Sequence, residues 1–264
     1  MPEPVHNCLG CGEEYFRRGL RCPQCGKVGV QFLCKYCRFD VNALSGLVTR
    51  SLWCPKVASL NDPFEFAFAI EPNHLDGVPI DPDSMAQAKE DMKQYGVLCF
   101  SEVGDDILMW SHYSDAHAGF CLQFERQEDN ELGSYDRCVP VIYDENYPKY
   151  SLPELTSPKN VVRIMTLKSP RWSYEQEWRM LVHAGQRSHP YPGALVGIIF
   201  GVRIPKENRT VIATVMGEGL SYREAVVSET SFNVTLSRTH PNSSEYLLKS
   251  TPTSALQRTA DSAR

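Results

Sequence analysis

The amino-acid sequence predicts an α+β domain, with a mixed, largely antiparallel sheet and flanking helices, behind a small cysteine-rich module. Two observations carry this reading. Strand-like apolar runs and helical patterns follow one another without regular βαβ alternation, which points away from a doubly wound parallel sheet. Six of the ten cysteines lie in the first 37 residues, all as CxxC pairs. The expected division is a module over 1–30, a main domain over 31–245 and a disordered tail over 246–264.

The first element is the module. "CLGCGEEYFRRGLRCPQCGK" holds two CxxCG knuckles, Cys8/Cys11 and Cys22/Cys25. Each knuckle turns two sulfurs toward one ion, and zinc takes four thiolates tetrahedrally. About 30 residues bury too little apolar surface to fold alone, so structural zinc is expected to supply the difference. The first thirty residues carry Arg17, Arg18, Arg21 and Lys27 against the negative charges of Glu3, Glu13 and Glu14. A tetrathiolate centre adds about two negative charges. That is no basic patch, so a protein contact or a structural role is expected ahead of nucleic-acid binding.

The next stretch, "FLCKYCRFD", reads either as a third knuckle or as a strand. It lacks the glycine of the other two, and its flanks "VGVQFL" and "RFD" favour a strand. Asp40 or Asn42 then caps a short helix with Leu44, Leu47 and Val48 on one face. Further helices are expected over 80–95, over "DDILMWSHYSDAHA" up to Gly119, over 160–168 and over 206–219. Strands are expected at 96–102, "FCLQFE", 139–145, 177–184, 195–201, 223–227 and 231–237.

Composition bounds the function. The chain has 264 residues, 42% of them apolar and 22% charged, ordinary for a soluble protein. No run of about 18 apolar residues predicts a membrane span. The opening "MPEPVHNCLGCGEEYF" has no charged region followed by an apolar stretch, so a cytoplasmic protein without a signal peptide is expected. A net charge of −5 gives no global attraction to nucleic acid or to an anionic membrane. Cys54, Cys99, Cys121 and Cys138 lie in apolar stretches and read as core thiols of a reducing compartment.

Three stretches could carry chemistry. In "LNDPFE", proline keeps Asp62 out of a helix, so Asp62 either caps a rigid turn or joins Asn61 and Glu65 as a pocket group. "MWSHYSDAH" places Trp110, Tyr113 and His117 on one helical stripe, with His112 beside them, as core or as pocket wall. In "WSYEQEWRM", a strand would put Glu175, Glu177 and Arg179 on one face. That alternation reads as an exposed ion-pair ladder or as a catalytic glutamate kept ionised by Arg179.

From residue 32 to about 205 the chain resembles domain-of-unknown-function family 2971. The resemblance rests on "LCKYCRFD", "SLWCPK" leading to "SLNDPFEF", "LMWSHYSDAHAGFCLQF" and "WSYEQEWRML", in the family's order. It implies that Lys35, Tyr36 and Arg38 lie on the first strand. A more distant resemblance, in "EWRMLV" followed by "LVGIIFG" and in the Glu175-Gln176-Glu177 pair, is to ADP-ribosyltransferases. It implies a split antiparallel sheet and NAD as cofactor. Glu177 would be the catalytic carboxylate, with Glu175 and His112 nearby, and Lys35, Tyr36, Arg38, Trp110, Tyr113 and Arg179 would hold the dinucleotide. The reading is therefore an NAD-using effector of toxin or phage-defence type. The alternatives are a non-catalytic zinc-ribbon sensor module and a metal-dependent nuclease or hydrolase using Asp62, Glu65, His112 and Glu177.

Overall fold

The computed structural model describes residues 6–7, 14–15, 32–71, 74–75, 78–79, 81–127, 129–134, 136–155, 157–240, 243–244 and 246. The four knuckle cysteines and the tail beyond 246 lie outside the described residues. Within the module, His6–Asn7 pairs antiparallel with Glu14–Tyr15, on either side of Cys8 and Cys11 in the sequence.

The main domain is α+β. Its strands of three or more residues are β1 (Phe32–Cys37), β2 (Ser51–Cys54), β3 (Gly96–Ser101), β4 (Phe120–Glu125), β5 (Cys138–Pro140), β6 (Glu177–Val182), β7 (Arg187–Pro190), β8 (Leu195–Phe200), β9 (Ser221–Val227) and β10 (Val234–Leu236). The main helices are α1 (Val41–Thr49), α2 (Pro82–Met92), α3 (Ile107–Tyr113), α4 (Pro158–Thr166) and α5 (Lys206–Met216). Eight strands form one sheet in the order β5-β6-β3-β1-β4-β8-β9-β10. Only β8 and β9 run parallel.

The sheet opens in its middle. β3 pairs with β6 at six positions, and β1 pairs with β4 at six. Between β3 and β1 the ladder has a single pair, Cys34 with Ser101. Beyond that pair the two strands part, and a cavity lies against the parting.

The core follows from strand composition. "GVLCFS" of β3 and "LVGIIF" of β8 are apolar on both faces, as buried central strands require. One face packs Leu33, Phe100, Phe124, Trp178 and Phe200 against α5 through Ile212. The other face holds Tyr36, Trp110, Cys121 and Ile199. Val57, Phe66, Phe68 and Val97 make a third cluster near β3. Tyr246 is buried against Phe200 and Tyr222. Among the described residues no helix is long and apolar enough to cross a membrane.

Local chemistry sets the helix ends. Asp40 Oδ1 accepts from Ala43 N at 2.8 Å and starts α1. Asp106 Oδ1 accepts from Leu108 N at 2.8 Å and Met109 N at 3.0 Å and starts α3. α3 is shorter than the sequence pattern implies. After Tyr113 the chain enters the left-handed region at Asp115, Ala116 and His117, with φ of 52°, 48° and 73°. His117 N turns back onto Trp110 O at 3.1 Å, and Gly119 passes so close to β1 that a Cβ would sit 2.1 Å from Cys37 O. His117 therefore leaves the Trp110–Tyr113 stripe. The helix expected over 160–168 ends at Thr166, because Leu167–Lys168 pairs with Ile142–Tyr143. β2 and β7, which pair with each other, carry no clear alternation and were not expected from the pattern.

"FLCKYC" is β1, so the strand reading holds. Cys34 packs with Cys121 on one face, while Cys37 packs against the opposite cluster. Sulfurs three residues apart on a strand face opposite ways and cannot clasp one ion.

Candidate functional site

A cavity of about 130 Å³ lies where β1 and β3 part. Leu60, Val97, Phe100 and Met109 give it apolar walls. Glu65, Lys168, Glu175 and Glu177 line its polar end, with Tyr113 and Asn61 beside them, and Lys35, Tyr36, Cys34 and Cys99 line it from the strands. β6 places Glu177 at its first position, paired with Ser101. Glu175 comes from the 3₁₀ turn Pro170–Glu175, and Gln176, with φ of 42°, reverses the chain between them.

The two carboxylates meet on one ammonium. Lys168 Nζ lies 2.5 Å from Glu175 Oε2, 3.1 Å from Glu177 Oε2 and 3.6 Å from Glu65 Oε1. Behind them Arg179 is fully buried and donates five hydrogen bonds. Nε and one terminal nitrogen reach Glu177 at 2.8 and 3.0 Å; both terminal nitrogens reach Glu65 at 2.7 Å, and one also reaches Met165 O at 2.9 Å. On the other side Tyr113 OH donates to Glu175 Oε1 at 2.5 Å and accepts from Asn61 Nδ2 at 3.0 Å. Tyr143 OH accepts from Glu177 N at 2.9 Å. Across the parting strands, Lys35 Nζ donates to Cys99 O at 2.9 Å.

These contacts push the carboxylates apart in acidity. Burial opposes ionisation of Glu177, but Arg179 and Lys168 overcome it and hold its carboxyl at about 2. Burial raises Glu175, the charge of Glu177 adds to the rise, and Lys168 and Tyr113 only partly offset it. Burial favours a neutral Lys168, yet Glu177, Glu175 and Glu65 outweigh it and keep the ammonium charged. Two cations, Lys168 and Arg179, stand against three carboxylates, Glu65, Glu175 and Glu177. Of the Glu175–Glu177 pair, Glu175 is the weaker acid.

Residues 109–180 match the family model described as "Protein of unknown function (DUF2971)". The searches of curated proteins and of solved structures found no match. The matched stretch contains Tyr113, Lys168, Glu175, Glu177 and Arg179, which is most of the cluster. It also contains two of the four sequence blocks on which the resemblance to this family rests, "MWSHYSDAH" and "WSYEQEWRM".

The structure gathers some of the expected site residues and disperses others. Glu177, Glu175, Lys35, Tyr36 and Tyr113 share the cavity. Glu175 is not on the strand face with Glu177 and Arg179; the turn at Gln176 brings it in from outside the sheet. The exposed ladder is a buried network instead, with Arg179 wholly inaccessible. Arg179 has all five donors engaged and offers none to a pyrophosphate. Trp110 is core: its Nε1 donates to Gly104 O at 3.0 Å and its ring meets the edge of Tyr36. His112 is exposed, with Nδ1 3.0 Å from Tyr174 OH, and does not line the cavity. Arg38 lies past the end of β1, exposed and outside the cavity lining. Asp62 Oδ1 caps its turn by accepting from Phe64 N at 2.9 Å, while Asn61 and Glu65 reach the cavity. Among the described residues no group of three or more His, Cys, Asp or Glu is placed to hold a metal ion.

Sequence reading missed Lys168, which it placed at the end of a helix. The available signal was charge balance. Three carboxylates embedded in apolar stretches need more than the one cation of Arg179 if all are buried.

Proposed function

We propose that this chain is an ADP-ribosyltransferase-like enzyme that breaks the bond between nicotinamide and ribose in NAD, with Glu175, Glu177 and Lys168 at the reacting end. The observation that supports this is the meeting of two carboxylates of opposite acidity on one lysine, in the wall of a cavity at the parting of a split sheet.

The chemistry needs that pairing. Departure of nicotinamide leaves positive charge on the ribose carbon, and nearby fixed negative charge stabilises it. Glu177 supplies such a charge, held ionised by Arg179 and Lys168. Glu177 already accepts three hydrogen bonds from those two cations, and Glu175 accepts two, one from Tyr113 and one from Lys168. Glu175 thus keeps more acceptor capacity for a ribose hydroxyl. A cavity near 130 Å³ is ring-sized, since a dry cavity of about 150 Å³ admits benzene. It suits the reacting end of the dinucleotide, with the remainder outside. Water attack gives ADP-ribose, nicotinamide and a proton; an acceptor hydroxyl or amine in place of water gives the transferred product.

One observation favours a second reading, a binding module that holds a ligand without turnover: the Arg179 donors and Glu177 oxygens are already engaged with each other. The test separates the two. The full chain is incubated with adenine-labelled NAD and cell lysate, and nicotinamide release and label transfer are measured. The enzyme reading expects one or both, reduced about a hundredfold in Glu175→Gln and Glu177→Gln. No release or transfer, with NAD raising the unfolding temperature, leaves the binding module. Neither effect removes NAD from the account.

A further inference from the structure

We infer that the segment between Lys56 and Glu65 is a flap over the cavity, and that the hydrogen bond from Asn61 to Tyr113 is its latch. The segment is anchored at both ends. On entry, Val97 N donates to Pro55 O at 3.0 Å and Val57 N to Tyr95 O at 3.1 Å. On exit, Arg179 holds both oxygens of Glu65 at 2.7 Å. Phe66, buried with φ of 57°, fixes that end, because a non-glycine residue stays in the left-handed region only when its surroundings hold it.

Between the anchors Leu60 and Asn61 line the cavity, while Pro63 and Phe64 face solvent. The remaining side-chain bonds here are local: Asp62 to Phe64 N, and Ser59 Oγ to Lys56 O. Among the described residues, Asn61 Nδ2 to Tyr113 OH, at 3.0 Å, is the one hydrogen bond from residues 58–64 to another part of the chain. Opening such a stretch breaks that tie together with the packing of Leu60 on the cluster of Val57 and Phe66, so loss of the tie removes one of two restraints. Tyr113 OH also donates to Glu175. The group that shuts the cavity is therefore the one that holds Glu175. The inference rests on the cavity and not on the chemistry done there, so absence of NAD turnover leaves it standing.

Cys99 lines the cavity and reports access to it; burial and the charge of Glu177 hold its thiol well above the usual range, so its slow alkylation is followed at pH 9 and read as a ratio between variants. The full chain is treated with iodoacetamide, and the alkylation rate at Cys99 is read by peptide mass spectrometry. Asn61→Ala is expected to speed Cys99 alkylation about three- to tenfold, the factor one hydrogen bond makes in an opening equilibrium. Phe64→Ala, on the same segment but off the latch, is expected to stay within about twofold of wild type. Tyr113→Phe removes the same bond and also the bond to Glu175, so its rise is expected to equal or exceed that of Asn61→Ala. Equal rates in wild type and Asn61→Ala overturn the latch. So does a comparable rise in Phe64→Ala, or no rise in Tyr113→Phe.

Discussion

Arg179 grips Glu65 with both terminal nitrogens, each 2.7 Å from a carboxylate oxygen, although the two residues are 114 positions apart. That pair ties the cavity's covering segment to β6, and it is buried from end to end. Stability consequences follow from burial more than from Coulomb attraction. Removing one partner strands the other in a medium that cannot solvate it. Glu65→Gln is expected to cost about 3–5 kcal/mol, and Arg179→Lys a similar amount, because an ammonium cannot reproduce a planar five-donor fork. Urea unfolding of the full chain measures both. A loss under about 1 kcal/mol in either variant means that the pair contributes orientation and not stability.

Particular residues show why the fold was more legible than the site. β1, β3, β4, β6 and β8 announce themselves because their apolar runs are local properties of the chain. Asp40 and Asp106 mark helix starts for the same reason. Glu177 could be singled out as a carboxylate opening an apolar strand. Lys168 could not, because its role depends on three carboxylates delivered by the turn at 62–66, the 3₁₀ turn and β6. The Trp110 stripe was ambiguous for a related reason. Helical spacing puts Trp110 and Tyr113 on one face, but only the packing against Tyr36 decides that Trp110 is core while Tyr113 reaches Glu175. Arg38 and His112 lie outside the cavity lining because a motif fixes position along the chain and leaves side-chain direction open.

The opposite acidities of Glu175 and Glu177 give opposite pH dependences. Glu177 is held near 2 in the folded chain against an ordinary 4.5, so its contribution is present above 4.5 and is lost as pH falls from 4.5 toward 2. At full strength it is about 3 kcal/mol. Glu175 is raised, so the folded chain binds its proton more readily than the unfolded chain. Its effect on stability improves as pH falls toward 4.5 and worsens as pH rises through its folded value. The stability difference, wild type minus Glu175→Gln, is therefore expected to increase as pH is lowered from 8 to 4.5. Chemical denaturation at several pH values across that range measures it. A difference that is flat or falls on acidification shows that folding does not raise Glu175.

The two CxxCG knuckles give a prediction independent of the cavity. Cys8, Cys11, Cys22 and Cys25 form a donor set suited to one tetrahedral zinc, and the paired strands His6–Asn7 and Glu14–Tyr15 bracket the first knuckle in sequence. Cys34 and Cys37 are the competing ligands by spacing, yet they face opposite sides of β1, and burial raises the Cys37 thiol to about 11. A metal must displace the thiol protons, and a buried, raised thiol makes that step costlier. Elemental analysis of the purified full chain is thus expected to find about one zinc per molecule. Cys8→Ser and Cys22→Ser should each lose it, because three thiolates without a fourth bind far more weakly, whereas Cys34→Ser/Cys37→Ser should retain it. Loss of zinc in the Cys34/Cys37 variant, with retention in Cys22→Ser, would reassign the metal to β1 and contradict the strand register that pairs Cys34 with Gln123 and Cys37 with Phe120.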